Sequence, residues 1–331
     1  MTDNSIGIAF IIPHREEEPV LVTVQAAVQA AEANNISFTV ITVSGNQPSF
    51  QRNRASEMTD KPYLYFLDND AYITAESLQH ALTALQVNND TGIIGGPSLA
   101  PDTASPKQKA AQAVFSSPIA VGKIASRYRS SGALRQCDDR ELILCNMLVS
   151  ANLFRTCGGF NELLYPNEEN DFIHRALAAG AKVMHHPCMA AYREPRPTVH
   201  SFIMQVYTYG RGRGEQCRIN PSSFHPALLI PALFSIYIVP AVILSFFFPA
   251  VCMPVILWLF LAWISACVYR IKNKTPFLYF GLYFMINHLI YGWGLCRGIF
   301  TRTYRSRHVE PYANPVKAAG DGPAAKTGSG R

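Results

Sequence analysis

Apolar residues in the first two thirds of the chain alternate between short continuous runs and helical spacings. Ile6–Ile12 is wholly apolar and ends at Pro13, the pattern of a strand buried on both faces of a parallel sheet. Leu21, Val24, Val28 and Ala31 then supply the apolar stripe of a helix that the Asn34-Asn35 pair stops. Ile36–Val43 predicts a second strand, Pro48–Met58 a short helix, and Tyr63–Leu67 a third strand running into Asp68-Asn69-Asp70. Thr74 is placed to cap a helix reaching about Val87, and Gly92–Ile94 predicts a fourth strand closed by Gly95-Gly96-Pro97. Strand and helix alternating at these spacings predict a doubly wound α/β sheet, whose ligand crevice lies at the carboxyl ends of the strands. Asp68 and Asp70 stand at such an end.

The next stretch, 98–140, is polar and reads as mixed loop and helix. Leu142–Val149 returns to strand character, Asn152–Cys157 is a helical turn broken by Gly158-Gly159, and Asn170–Ala179 is a helix stopped at Gly180. Val199, Phe202, Ile203, Val206, Tyr207 and Gly210 recur at i, i+3, i+4, i+7, so 197–210 predicts an amphipathic helix aimed at Arg211-Gly212-Arg213.

Hydropathy then changes character. Residues 226–269 hold no charged side chain over 44 positions, and 275–296 none over 22. As helix, 44 residues extend about 66 Å, two passes of a ~30 Å hydrocarbon core, which predicts a hairpin (about 227–248 and 252–269) turning near Pro249–Pro254. Arg270, Lys272 and Lys274 would return it to the cytoplasmic side. The third segment, 276–300, is long enough to span, which would put Arg302, Arg305 and Arg307 outside, but its tyrosines, Asn287 and His288 suit the interface equally well. The tail after Pro315, rich in Ala and Gly, is expected to be disordered.

Composition sharpens this division. Charged residues make up 16% of the chain, against roughly 25% in ordinary soluble proteins. Residues 1–194 carry 15 Lys and Arg against 20 Asp and Glu, a net of −5, while 195–331 carry 14 against 3, a net of +11. Basic residues beside apolar spans read as anchors to anionic lipid on the cytoplasmic side, not as a nucleic-acid surface. The first apolar run has seven residues and no basic region before it, so no signal peptide is expected and the N-terminal half is placed in the cytosol at the inner membrane. Eight cysteines without a CxxC pair read as reduced packing residues.

Three groups of residues could carry chemistry. Asp68 and Asp70 at a strand end need a counter-charge if buried, and a divalent cation, Mg²⁺ or Mn²⁺, takes one or two carboxylates while keeping room for phosphate oxygens; a solvated turn is the plainer reading. Glu168, Glu169 and Asp171 open a helix, where carboxylates gain from the helix dipole whatever their role, and a general base among them is the functional reading. Arg211 and Arg213 alternate with glycines after a helix. That order excludes a Rossmann loop and leaves two readings, a flexible wrap around a diphosphate or a clamp on lipid phosphates.

Taken in order, these motifs resemble the family 2 glycosyltransferases of the GT-A fold, with a likeness to bacterial membrane-associated members of the succinoglycan and exopolysaccharide type. IAFIIPHREEE resembles the family's opening strand and Pro-x-x-Asn-Glu signature, with Pro13 and Glu17 in register and Arg15 between them. PSFQRNRA resembles its Arg-Asn segment through Arg52 and Asn53, FLDNDA its Asp-x-Asp, and GGFNE followed by EENDFIHR its Gly-Gly-Phe-Asp-Glu and acidic motifs. Counting back from Arg175, the resemblance puts the base at Glu169, and QVYTYGRGR near the donor diphosphate. Three positions depart from the pattern: Glu16 replaces an Asn, Ser44-Gly45-Asn46 stands where many members have an Asp for the nucleotide, and Arg193 replaces the His of a third metal ligand.

The resemblance implies a GT-A nucleotide-diphospho-sugar transferase fold over 1–215, with a doubly wound mixed sheet, followed by a membrane region over 216–300 and a tail over 301–331. It implies transfer with inversion from a nucleotide-sugar to a lipid-linked glycan or growing polysaccharide, with metal at Asp70 and Asp68 assisting through metal or ribose, and Glu169 as base. Two other readings stay open, a polyprenyl-phosphate monoglycosyltransferase and a catalytically inactive GT-A scaffold.

Overall fold

The structure, a computed structural model, describes residues 6–88, 90–273, 276–301, 304 and 311–318. The predicted alternation is present as β1 (Gly7–His14), α1 (Leu21–Ala33), β2 (Ser37–Gly45), α2 (Pro48–Ser56), β3 (Tyr63–Phe66), β4 (Ala71–Ile73), α3 (Ala75–Val87) and β5 (Thr91–Gly95). There follow β6 (Ser98–Leu99), α4 (Pro106–Phe115), α5 (Pro118–Val121), β7 (Arg135–Gln136), β8 (Met147–Ser150), α6 (Ala151–Thr156), α7 (Glu168–Ala178), β9 (Lys182–His185), β10 (Ala191–Arg193) and α8 (Val199–Ile219). The C-terminal part comprises α9 (Leu229–Leu244), α10 (Met253–Asn273), α11 (Phe277–Phe300) and β11 (Ala313–Ala318).

The main sheet is mixed, in the order β11-β2-β1-β3-β8-β5-β9-β7. β1 lies parallel to β2 and β3, whereas β8 runs antiparallel between β3 and β5. As expected of a strand covered on both faces, β1 sends Ile8, Phe10 and Ile12 into one core and Ala9 and Ile11 into the other. A second, three-stranded sheet, β4-β10-β6, brings Arg193 on β10 beside the Asp68-Asn69-Asp70 turn that leads into β4.

Several local expectations change. The buried face of α1 is Thr23, Ala27, Ala30 and Ala31, while Leu21 is exposed. Small residues bring α1 close enough for Thr23 Oγ1 to donate to the Asn69 carbonyl at 2.8 Å, so the helix supports the acidic turn. The strand expected from Leu142 begins at Met147, after a 3₁₀ turn over Leu144–Asn146. α7 begins two residues before the expected Asn170, after Asn167 in a left-handed conformation (φ 81°), so that all three acidic candidates sit in its first turn.

The largest difference concerns the arginine-glycine segment. α8 does not end at Gly210 but continues to Ile219, and the expected domain boundary at 215 falls inside it. Gly210 and Gly214 serve close packing against α11, while Gly212 packs against Pro166 and Asn167. A Cβ on Gly210 would lie 2.2 Å from the Tyr291 carbonyl oxygen, one on Gly294 2.3 Å from that of Tyr207, and one on Gly298 2.1 Å from that of Arg211. Backbone meets backbone here, which only glycine allows.

Among the described residues, two helices are long and apolar enough to cross a membrane, 226–244 and 249–270. Only 17% and 22% of these segments is buried within the protein, which is not how the core helix of a soluble domain behaves. The tail is structured as far as it is described, because β11 pairs antiparallel with β2 along the sheet edge. Lys274, Arg302, Arg305, Arg307 and the tail beyond residue 318 lie outside the described residues.

Candidate active site

Asp68 lies between two guanidinium groups. Arg52 Nη2 reaches its Oδ1 at 2.7 Å, and Arg193 Nη1 its Oδ2 at 2.8 Å. Through Nε, Arg193 also holds Asp70 Oδ1 at 2.8 Å, so one side chain bridges both carboxylates. Burial pushes the pKa of each aspartate up, but the Arg193 and Arg52 charges outweigh it at Asp68, which is held below the ordinary carboxylate range. At Asp70 burial prevails, reinforced by repulsion from Asp68 and opposed by Arg193, and its carboxyl is pushed up.

The Arg-Asn pair on α2 has divided labour. Asn53 Oδ1 accepts from the Phe160 amide at 2.9 Å, while its Nδ2 donates to the Phe160 carbonyl at 2.9 Å and to Glu162 at 2.9 Å. Gly159, at φ 66°, passes so close that a Cβ would meet Asn53 Oδ1 at 2.7 Å. This clamp ties α2 to the Gly-Gly-Phe-Asn-Glu turn and holds Arg52 where it can span from Asp68 to Glu168, whose Oε1 it reaches at 3.0 Å.

The three carboxylates of α7 have three different partners. Glu168 faces Arg52, Glu169 faces Arg127 Nη1 at 3.2 Å, and Asp171 faces Arg175 at 2.9 Å. Arg175 in turn donates to the carbonyls of Cys157 and Gly159, so Asp171 serves the packing of the turn below α7. Burial, and then the charge of Glu169, push the Glu168 carboxyl up to about 8 against the pull of Arg52. Among the described residues its buried Oε2 has no hydrogen-bond partner.

A polar cavity of about 590 Å³ opens at the carboxyl ends of β1 and β3. Pro13, Arg15, Arg52, Asp68, Asp70, Glu168, Glu169 and Arg193 all line it, which brings together most of the residues singled out in the sequence. Glu17 is exposed and does not line it, whereas Glu18 does. Arg211 and Arg213 are also absent from its wall. Inside a regular helix they are fixed by side-chain partners, Arg211 by the fully buried Glu215 at 2.8 Å and Arg213 by Asp139 at 3.2 Å and Gln216 at 2.7 Å. The flexible wrap around a diphosphate is therefore not what the glycines provide. Sequence reasoning missed Arg127, Tyr209 and Arg196: the first stands in a stretch without a motif, the second inside a segment read only for its arginines.

A second, mainly apolar cavity of about 350 Å³ meets the first at Glu169. Glu169, Pro166, Ile143 and Tyr209 line both cavities, whereas Glu168 lines only the polar one and Asp171 neither.

Among the described residues no three His, Cys, Asp or Glu side chains cluster to hold a metal ion. Asp68 has both oxygens engaged by arginines, but Asp70 has a half-exposed side chain held on one oxygen only by Arg193. A divalent ion that completes its shell with phosphate and water oxygens needs no more than one such carboxylate, so the residues fit Mg²⁺ or Mn²⁺ at Asp70.

Comparisons with known proteins bear on the fold. Residues 22–147 match the model of Glycosyl transferase family 2. The mannosyltransferase PcManGT from Pyrobaculum calidifontis, solved with GDP-Man and Mn²⁺, is similar in structure with a TM-score of 0.50 at 10% identity, over 88% of this chain and 87% of that one. S. aureus TarS 1–349 (TM-score 0.40, 12% identity, 61% of this chain and 65% of that one) and GalNAc-T7 with UDP, GalNAc and Mn²⁺ (0.41, 9%, 67% and 51%) are more distant likenesses. No curated protein matches the chain in sequence. Residues 22–147 thus match the family 2 glycosyltransferase model within a mixed-sheet GT-A fold, which supports a glycosyltransferase.

Proposed function

We propose that the protein is an inverting glycosyltransferase that moves a sugar from a nucleotide-diphospho-sugar to a lipid-linked glycan or growing polysaccharide at the cytoplasmic face of the inner membrane. The observation that carries this reading is the polar cavity, which sets Asp70 and the cations Arg15, Arg52, Arg193 and Arg196 together with Glu169 on its wall. Four guanidinium groups, set among the five carboxylates that also line the cavity, offer hydrogen-bond donors to a diphosphate whose negative charge grows as it leaves.

In this reading Asp68 orients Arg52 and Arg193 instead of binding metal itself. Asp70 would hold a divalent ion, Mg²⁺ or Mn²⁺, which would neutralise charge on the departing diphosphate. Glu169 takes the proton of the acceptor hydroxyl as its oxygen bonds to the anomeric carbon. The bond from that carbon to the diphosphate breaks on the opposite face, and the electron pair leaves with the nucleoside diphosphate. A single displacement inverts the anomeric centre. The membrane placement rests on the two apolar helices and on the excess of Lys and Arg after residue 194.

Release of nucleoside diphosphate from UDP-, GDP- and TDP-sugars by detergent-solubilised protein, with Mg²⁺ or Mn²⁺ supplied, tests the reading. Metal-stimulated turnover of at least one donor is expected. No turnover of any donor, by protein that also fails to bind them, would contradict it.

A further inference from the structure

The second cavity has no part in holding the donor, yet it shares Glu169 with the donor cavity and so reaches the position of the attacking group. Its wall continues to Leu228, Ile230 and Pro231, at the start of the first membrane-capable helix. Whatever fills it therefore connects the bilayer boundary to the base. Ile119 and Ile230, which line it, are 45% and 66% exposed, large apolar side chains left without a protein cover.

The charges on this wall are unequal. Lys123, Arg127, Arg140 and Arg213 line it, and Glu169 is the carboxylate facing them. Arg127 pairs with Glu169, whereas Asp138, the partner of Lys123 and Arg140, and Asp139, the partner of Arg213, are not part of the lining. A mostly apolar space with four cations against one carboxylate suits an amphiphile with an anionic head.

We propose that this cavity is the acceptor site, and that it takes a single-chain lipid phosphate: the apolar chain enters between α5 and the start of α9, the phosphate faces Arg127, Arg140 and Lys123, and the saccharide it carries presents its hydroxyl to Glu169. The assignment deepens the glycosyltransferase reading and rests on it for the position of the hydroxyl. It commits the acceptor to a lipid-borne phosphate rather than a free polysaccharide end.

The test is photolabelling of full-length detergent-solubilised protein with a diazirine-bearing farnesyl phosphate, followed by peptide mapping. Labels are expected within 118–124 and 227–231, competed by farnesyl phosphate but not by farnesol. The variants Ile119→Trp and Ile230→Trp fill exposed cavity positions and should each raise the competing concentration about tenfold or more, the loss of roughly 1.4 kcal/mol. Phe246→Trp, on an outward-facing residue that does not line the cavity, should leave it unchanged. Labelling confined to the outer faces of α9 and α10, equal competition by farnesol, or equal competition by phosphatidylglycerol vesicles would overturn the proposal. Release of nucleoside diphosphate from the sugar donor, measured on the same variants without acceptor, separates the two claims: its absence in the unmodified protein counts against the enzyme reading, and lost lipid-phosphate labelling with donor turnover intact counts against the acceptor site.

Discussion

Glu169 Oε1 lies 3.2 Å from Arg127 Nη1, and this places the middle carboxylate of the acidic turn on the partition between a polar and an apolar cavity. Arg127 is in turn fixed by the carbonyls of Arg140 at 2.8 Å and Asp139 at 2.9 Å. Four residues of sequence, from Glu168 to Asp171, thus present three carboxylates in three settings: one facing the polar cavity, one between two cavities, one turned into the packing below the helix.

Asp70→Asn is expected to lower transfer by about 10²-fold or more, the scale seen when a group that stabilises transition-state charge is lost. The fold should survive, since Asp70 is partly exposed and, among the described residues, its one ion pair is with Arg193. Isothermal titration with Mn²⁺ and donor should show the metal-dependent part of binding gone. Full activity at ordinary metal concentration would remove Asp70 from the site.

Glu168 gives a pH dependence of definite sign. Its ordinary value of 4.5 is raised to about 8, first by burial and then by the charge of Glu169, with Asp68 adding repulsion and Arg52 opposing. Between those values the folded protein holds a proton that the unfolded chain has lost, so this contribution to stability is complete below about 4.5 and is lost as pH rises through about 8. Thermal melts in detergent should therefore fall between about pH 5 and 8. Glu168→Gln should flatten that slope, and an unaltered slope in the variant would show that another group causes it.

The contact between α8 and α11 predicts opposite outcomes for two glycines of one helix. Gly298→Ala places a Cβ against the Arg211 carbonyl and the Gly214 Cα and should cost about 1–3 kcal/mol. At Gly281 nothing among the described residues lies within 4 Å of the added atom, so Gly281→Ala should be neutral or stabilise by about 0.5–1 kcal/mol. Melting temperatures of the two variants, compared with the parent, decide it.

How much of this was legible in the sequence differs from element to element. The alternation of strands and helices to residue 95 was legible because each apolar run is short and bounded by Pro, Asn or Gly, and Thr74 does accept from the Ser77 amide at 3.1 Å. The tie between PSFQRNRA and GGFNE was visible only as motif order; that Asn53 physically clamps the second to the first is a contact across 107 residues that no local pattern encodes. Gly210-Arg211-Gly212-Arg213-Gly214 was misleading, because the same spacing serves a flexible anion loop and a tight helix pair, and its partner glycines lie about 80 residues away on α11. Arg193 was noted as a departure, but its bridge over both aspartates depends on β10 pairing with β4. Arg127 carried no signal at all, since its role comes from being folded against α7.

The role of Glu169 rests on register and on its place between the cavities, and single-turnover transfer by Glu169→Gln, beside Asp171→Asn, tests it most directly. A base removes a proton only as the acceptor attacks, so its neutralisation should slow chemistry while leaving the donor bound. With donor and acceptor both saturating, Glu169→Gln should lower the rate by roughly 10²–10⁴, with the donor Kd within about twofold of the parent, and Asp171→Asn should retain most turnover. A Glu169→Gln enzyme that turns over at the parental rate, with Asp171→Asn inactive yet folded, would contradict the assignment and move the base to Asp171.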